Sequence, residues 1–508
     1  MDFNAHKNTI SVLDSALGGS AEYPVDLDIT LPEYLPDVVR VLNCTLTPNI
    51  QSHQITGDRI TTECDCTASV LYVSENGKVH CLNQSLHFAK HIELKTDNTQ
   101  NIFVGAKTDY VNYRVSGQRK LEIHGSVSIF SKITKPKAYE YIDEAFGDGL
   151  TAKCEKSEIC NLTSITEKCF CINETCEIPN PTYPVDAIIS SSASAIIDDI
   201  KIISNKLFLK GDLVLHTAFI SSEENEIQNF NTTIGINQII EVEELSESSQ
   251  IDAYLSVIGF DARTKFDAVG NKSLLDISAT LNLTAYSYEN KTVTFIKDAY
   301  STKYECDLKK SNIYIASLEE KIDDTFLCRG IAELKSTGMT KVLSFMCNDV
   351  TSSFSLREDS VVVSGEISTQ IIYEDAKGEI CFATRQIPFE YQRQTTESAI
   401  LTCRPVCTIT AFNYVLSEKD TLDVRIEINI HGFLFREEER CVATDVIVNK
   451  EKIKSVKTAT LTIYFADEGE SLWNIAENFN TTVDAIMREN HIQDGNVQKK
   501  CKLLIPKV

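Results

Sequence analysis

The chain has 508 residues, with 49 lysines and arginines against 73 aspartates and glutamates, and a formal net charge of −24. This acidic excess argues against a dedicated nucleic-acid-binding protein and against docking on anionic lipid through a basic surface. At roughly 150 residues per domain, the length favours three to four domains.

Seventeen cysteines are scattered along the chain rather than framing one small scaffold. The first residues lack the apolar segment of a signal peptide, and no apolar run is long enough for a transmembrane helix. The sequence therefore predicts a cytoplasmic protein without a transmembrane segment, in which most thiols are reduced. The alternative is that these thiols become cross-linked in a later, oxidising environment.

Two segments of the sequence each recur three times without gaps. The first has an acidic residue at its sixth position and ends on an aromatic residue, and its copies are Ile60–Tyr72, Leu207–Phe219 and Val361–Tyr373. The copies of the second are Leu121–Ile133, Leu275–Ser287 and Leu422–Leu434. Because both sets are offset by 147 or 154 residues, they predict three homologous units of domain size.

The repeated segments alternate apolar and polar residues with a period of two. In Leu422–Leu434, leucine, valine and isoleucine alternate with Asp423, Arg425, Glu427 and Asn429. This pattern is typical of a strand with one buried and one solvated face. Turn-like stretches follow the first set, at Ser74–Gly77, Ser221–Asn225 and Glu374–Gly378. We therefore expect each unit to be an antiparallel β-sandwich or open barrel.

These patterns divide the chain into six parts. They are an N-terminal tail (1–20), β-rich repeat 1 (21–133), a cysteine-containing linker or hairpin (134–182), repeat 2 (183–310), repeat 3 (311–457) and a C-terminal domain (458–508). Five cysteines lie between Cys154 and Cys176, but their spacing gives no paired zinc knuckles and no histidine is near. We expect no metal there.

The C-terminal part changes from a period of two to helical spacing and back. Leu472, Ile475 and Phe479 recur at helical spacing, and Thr481 with Asp484 is a plausible cap for a second helix. The order is therefore strand, helix, helix, strand. This segment resembles a LysM module, a small βααβ carbohydrate-binding domain. The resemblance is carried by Glu468–Ala476, Thr482–Ile486, Asn490 and Leu503–Pro506.

LysM modules that bind N-acetylglucosamine chains use the turn before the first helix and the loop after the second. In this sequence the resemblance places ligand or partner contacts at Gly469, Glu470, Ser471, Leu472, Asn490, His491 and Ile492. Trp473, Ile475 and Phe479 are expected in the core of the module. The family usually has glycine before the last strand, where this chain has Cys501.

Three β-rich units followed by one LysM module resemble the SipL-like family of clostridial spore-coat morphogenetic proteins. The stretch Leu31–Leu42 is also similar to the N-terminal motif of that family. The resemblance implies assembly of the spore coat on the forespore surface, from the mother-cell cytoplasm. It also implies that the partner is the coat morphogenetic ATPase, bound largely through LysM.

No catalytic constellation is recognisable in the sequence. The phosphate-binding G-x-x-x-x-G-K-[ST], the zinc-binding H-E-x-x-H and the G-x-S-x-G elbow do not occur. We expect a non-enzymatic scaffold without a cofactor, in which LysM binds a protein rather than a glycan. The alternatives are a cell-wall protein that binds peptidoglycan or N-acetylglucosamine oligomers, and a hydrolase with a deep polar pocket inside one β unit.

Overall fold

A computed structural model describes residues 4–94, 101–178, 184–222, 226–242, 245–334, 338–395, 401–417, 420–454 and 461–507. Within these ranges the chain consists of antiparallel strands and two short helices near the C-terminus. The predicted mainly β fold, ending in a βααβ domain, is confirmed.

The described strands fall into three consecutive units. Unit 1 contains β1 (Asn4–Thr30), β2 (Arg40–Thr56), β3 (Arg59–Val73), β4 (Val79–Glu93), β5 (Ile102–Gly117) and β6 (Lys120–Phe146). Unit 2 contains β7 (Leu150–Glu177), β8 (Val185–Ile203), β9 (Lys206–Ser221), β10 (Ile227–Glu241), β11 (Gln250–Phe266) and β12 (Lys272–Ser301). Unit 3 contains β13 (Tyr304–Glu333), β14 (Met339–Arg357), β15 (Ser360–Asp375), β16 (Ile380–Gln394), β17 (Leu401–Cys403), β18 (Val406–Leu416) and β19 (Thr421–Ile453).

All three units have the same topology. A meander of three strands forms one sheet, which is β2-β3-β4, β8-β9-β10 or β14-β15-β16. In the other sheet, the last strand of the unit pairs with the first strand and with the strand before it. These sheets are β1-β6-β5, β7-β12-β11 and β13-β19-β18, with β17 also paired to β19.

The two sheets of each unit pack face to face around a shared core, so each unit is a β-sandwich. In unit 1, Ile60 and Tyr72 of β3 belong to the same buried cluster as Leu121 and Ile129 of β6. Equivalent clusters fill units 2 and 3.

Both repeated segments form the central strands of the two sheets. The first set lies in β3, β9 and β15, and the second lies in β6, β12 and β19. A central strand bonds to neighbours on both sides and buries one whole face. In β19, Leu422, Val424, Ile426, Ile428 and Ile430 are all at most 1% exposed. This burial explains why the internal likeness is clearest in these segments.

Two of the predicted hairpin turns are described in full. Gly77 closes the β3–β4 turn with φ of 76°, and Gly378 closes the β15–β16 turn with φ of 78°. A positive φ of this size suits glycine because it has no Cβ. The predicted turn of unit 2 includes residues 223–225, which lie outside the described residues.

The first and last strands of each unit extend well beyond its sandwich. They have between 27 and 33 residues, and their far ends form three antiparallel pairs that we call the stem. The stem comprises residues 4–14 with 135–146, 150–164 with 287–301, and 304–320 with 434–453. Buried apolar side chains from all three units meet inside it, namely Ile10, Ile159 and Ile313 with Tyr141, Phe295 and Val442.

The stem corrects two predictions, the N-terminal tail at 1–20 and the cysteine-containing linker or hairpin at 134–182. From Asn4 onward the supposed tail is part of β1 and pairs with β6. The described part of the supposed linker is divided between the end of β6 and β7. Both β1 and β7 are edge strands of their sheets, and β7 buries few side chains, so its sequence lacks clear alternation.

Candidate functional site

The LysM module consists of β20 (Leu461–Ala466), α1 (Leu472–Asn478), α2 (Val483–Asn490) and β21 (Cys501–Pro506). Its two strands are antiparallel, with Leu461 opposite Pro506 and Ala466 opposite Cys501. The helices pack on one face of this two-stranded sheet around a buried cluster. The cluster includes Leu472, Ile475, Ile486, Leu503 and Ile505.

Backbone hydrogen bonds join the two loops that the resemblance singled out. The Gly469 N–H donates to the Val497 carbonyl at 2.8 Å, and the Leu472 N–H donates to the Gly495 carbonyl at 2.9 Å. Gly469 has φ of 86°, which explains the glycine at this position. The turn before α1 and the connection after α2 therefore form one surface, on which Gly469 and His491 are exposed.

Glu470 and Ser471 lie half-buried on this surface. The Glu470 carboxylate accepts a hydrogen bond from the Tyr464 hydroxyl at 3.2 Å and another from the Asp467 N–H at 3.2 Å. Desolvation and this bond to Glu470 raise the pKa of Tyr464. Ser471 is the N-cap residue of α1, but its hydroxyl makes no capping hydrogen bond. That hydroxyl is therefore available to a ligand.

Leu472 and Asn490 have structural roles that occupy their side chains. Leu472 is fully buried in the module core. The Asn490 amide donates to the Ile486 and Leu504 carbonyls at 2.8 and 2.6 Å, and its oxygen accepts from the Leu504 N–H at 2.7 Å. Asn490 thus ties the end of α2 to β21, and only the backbone at these two positions is left for a ligand.

His491 and Ile492 end the second helix. His491 adopts a left-handed conformation with φ of 52° and leaves its ring exposed, whereas Ile492 is half-buried against the module core. At the other end of α2 the cap is Thr482, whose hydroxyl accepts from the Ala485 N–H at 3.2 Å, rather than the expected Thr481. Cys501 begins β21 and is not among the residues with positive φ, so no glycine is needed there.

The module also rests on the stem, a contact that the sequence did not predict. The Trp473 indole N–H donates to Asp298 Oδ2 at 2.9 Å, and the Tyr300 hydroxyl donates to the Thr481 carbonyl at 2.8 Å. The Tyr300 and Trp473 rings meet edge to face with centroids 4.8 Å apart. Burial raises the pKa of Tyr300 to about 12. Trp473 therefore joins the module core to unit 2.

A second exposed surface lies on the face of the module sheet that points away from the helices. Leu461, Ile463 and Phe465 alternate along β20, and Phe465 is 70% exposed. Leu504 and Lys502 lie opposite Ile463 and Phe465 on β21. A contiguous exposed apolar stripe of this kind is a candidate protein-binding surface. The alternating pattern of β20 was visible in the sequence, but which face the helices cover was not.

Two cavities lie between units rather than inside one. A cavity of about 400 Å³ is lined by all three units, with the carboxylates of Asp14, Asp252 and Glu437 in its wall. A second, of about 190 Å³, lies between units 2 and 3. Asp252 is engaged by His431, whose Nε2 lies 3.0 Å from its Oδ1. The hydrolase alternative predicted a pocket within one unit, whereas both of these cavities are lined by more than one unit.

The residues that the structure describes include neither a membrane-spanning helix nor a metal-binding cluster. No helix in that part of the chain is long and apolar enough to cross a membrane. No group of three or more histidine, cysteine, aspartate or glutamate side chains there is placed to hold a metal ion. The five cysteines from Cys154 to Cys176 are free thiols distributed along β7.

Family models match three regions of the chain. Residues 37–116 and 184–265 match the SipL, SPOCS domain, and residues 467–506 match the LysM domain. The two SPOCS matches fall in units 1 and 2, and unit 3 shares their topology. Searches of curated proteins and of solved structures find no match. Both matched families are non-catalytic binding domains, related to the spore coat and to peptidoglycan binding respectively.

Proposed function

Because the chain carries two SPOCS domains of the SipL type and a C-terminal LysM domain, we propose that it is a non-enzymatic scaffold of spore-coat assembly. In this proposal it works at the forespore surface, where its LysM module binds the coat morphogenetic ATPase. The three sandwich units contact other coat components or set the spacing of the layer. Several weak contacts on one chain then raise the effective concentration of each on a polymerising surface.

The observation that carries this proposal is the apolar stripe of the module, formed by Leu461, Ile463 and Phe465. Exposed apolar side chains in a row are costly in water and favour burial against another protein. The stripe stays accessible while the module rests on the stem, because the stem contact uses Trp473 and Thr481 instead. A protein partner can therefore bind without displacing the module.

Co-purification with the ATPase tests this proposal. We expect Phe465→Ser in the full chain to reduce capture of the ATPase by at least tenfold, because it removes the most exposed ring of the stripe. Phe266→Ser is the matched control, since Phe266 is 62% exposed but lies on unit 2. Equal capture by wild type and the Phe465 variant would contradict docking through this face.

Peptidoglycan is the second candidate ligand, and the joined loops around Gly469 and His491 support it. These loops present backbone groups and the uncapped Ser471 hydroxyl to solvent. If the module binds glycan, insoluble peptidoglycan will retain the full chain, and Ser471→Ala with His491→Asn will weaken retention. Asparagine tolerates the left-handed conformation of position 491, so this variant keeps the fold. If peptidoglycan retains both variants as strongly as the wild-type chain, these loops are not the glycan site.

A further inference from the structure

The seat of the module on unit 2 is built from three side chains. Asp298 accepts the indole N–H of Trp473, and Tyr300 packs against the same indole. Lys310, from unit 3, places its Nζ 3.8 Å from the other oxygen of Asp298. The seat therefore combines a carboxylate, an apolar residue two positions later and a lysine from the next unit.

The internal repeat places a carboxylate and an apolar residue in the same arrangement at two other points of the stem. Equivalent positions are Glu144 and Phe146 in the first seat, and Asp445 and Ile447 in the third. Lys7 is the counterpart of Lys310 in the third seat, whereas β7 has Cys154 at this position beside the first seat. The strand register supports this equivalence. Each long strand has an irregularity just before the carboxylate, between Ile142 and Glu144, between Ile296 and Asp298, and between Ala443 and Asp445.

The third seat is already occupied by neighbouring side chains. Asp445 lies 3.9 Å from both Lys7 and Lys309, and it also accepts the Val446 N–H at 3.0 Å. Ile447 offers no aromatic ring to an indole. This seat is therefore a poor site for Trp473.

The first seat has the required groups and they are open. Phe146 is 57% exposed, whereas its counterpart Tyr300 is 2% exposed beneath the module. The Glu144 carboxylate is exposed and makes no hydrogen bond or ion pair with the residues that the structure describes. Both side chains extend from the end of β6, next to Gly147. An acceptor and a ring are thus presented together, as they are in the occupied seat.

We propose that the first seat binds the LysM module of a second copy of this chain. In that contact the Trp473 indole of one copy donates to Glu144 of the other and packs against Phe146. The module is the occupant because it already covers the equivalent residues of unit 2, Asp298 and Tyr300. The Phe146 ring lacks the hydroxyl that Tyr300 donates to Thr481, so this contact is weaker than the internal one.

Such a contact is heterologous, because the module of one copy meets the stem of the next. A heterologous contact joins successive copies into an open filament, unless the rotation between neighbouring copies closes a ring. In dilute solution the internal seat holds the module through its high effective concentration. Binding of the module to the first seat of another copy is then favoured where the local concentration of the protein is high.

Sedimentation of full-length variants at increasing concentration tests the proposal. Tyr300→Ala releases the module from its own seat, and we expect this variant to self-associate. Its Trp473 emission shifts to shorter wavelength as the concentration rises, because the indole becomes buried again. Adding Phe146→Ala should weaken this association at least tenfold, while adding Ile447→Ala leaves it unchanged.

A gain-of-function variant keeps the test decisive if Tyr300→Ala perturbs the stem. Phe146→Tyr in the otherwise native chain supplies the missing hydroxyl and should increase self-association several-fold. The proposal is wrong if the Tyr300→Ala chain, folded by circular dichroism, stays monomeric at all concentrations. It is also wrong if association is insensitive to Phe146→Ala, or if Phe146→Tyr has no effect.

Discussion

Trp473 of the LysM module and Asp298 of unit 2 are joined by a hydrogen bond of 2.9 Å across 175 residues of sequence. The same contact buries Tyr300 against the indole. The module is therefore held in a defined orientation on the stem. This orientation leaves the apolar stripe on β20 and the joined loops around Gly469 open to solvent.

The first prediction uses Trp473 as a reporter of this contact, because it is the only tryptophan in the chain. Tyr300→Ala should shift its emission to longer wavelength and increase quenching by acrylamide at low protein concentration. Truncating a buried aromatic side chain costs about 3–5 kcal/mol, enough to release a module held by few contacts. Phe146→Ala is the control at the equivalent position of unit 1 and should leave dilute emission unchanged. Unaltered emission from the Tyr300 variant would mean that the module does not depend on this seat.

The second prediction concerns a close backbone approach in unit 2. A Cβ added to Gly211 on β9 would lie 2.2 Å from the Ile196 carbonyl oxygen on β8. Gly211→Ala must therefore push the two strands apart, and we expect a clear loss of thermal stability or of folded yield. Gly235→Ala on β10 is the control, since a Cβ there meets no atom within 4 Å. Equal melting temperatures for both variants would contradict the described strand spacing.

The same region shows what the internal repeat could and could not predict. Gly365 is the counterpart of Gly211 in unit 3 and is similarly crowded, but unit 1 has Cys64 at this position. The central strands were predictable because each has a full buried face, which forces apolar residues to recur every second position. Edge strands lack this constraint, so β1 and β7 appeared to be a tail and a linker.

The candidate site was only partly predictable for a related reason. The residue type of Gly469 follows from its positive φ, and the LysM pattern identified it. The Asn490 amide donates to the Ile486 and Leu504 carbonyls because α2 packs against β21. This packing brings together residues that are distant in sequence, so a local sequence pattern does not predict it. The role of Asp298 and Tyr300 depends on where the module docks. Comparison of the three repeats reveals their counterparts only once the stem is known.

The third prediction concerns thiol reactivity. Burial raises the pKa of Cys44 and of Cys66 to about 11, whereas Cys441 and Cys501 are exposed at the surface. Because the thiolate is the reactive form, iodoacetamide at about pH 8 should modify the two exposed cysteines much faster than the two buried ones. Mass spectrometry of tryptic peptides measures both rates in one sample. Rapid labelling of Cys66 in the folded chain would contradict the packed core of unit 1, and labelling after denaturation is the positive control.

The fourth prediction is a pH dependence of stability from Glu167 on β7. Burial raises the pKa of this carboxyl, although the Asn282 amide donates to it at 2.7 Å and the Thr284 hydroxyl at 3.0 Å. The folded chain therefore holds this proton more tightly than the unfolded chain does. The carboxyl favours folding most at pH values below its unfolded pKa of about 4.3, and this contribution is lost as the pH rises.

Glu167→Gln removes this titration while keeping an oxygen that can accept from Asn282 or Thr284. We expect the melting temperature of the variant, relative to wild type, to increase steadily as the pH is raised from about 4 to about 7. Glu174→Gln is the matched control, because Glu174 is exposed on the same strand and its substitution should give no comparable trend. A difference that stays constant with pH would show that Glu167 ionises as freely in the fold as in the unfolded chain. Burial of Glu167 between β7 and its neighbours would then be less complete than the structure shows.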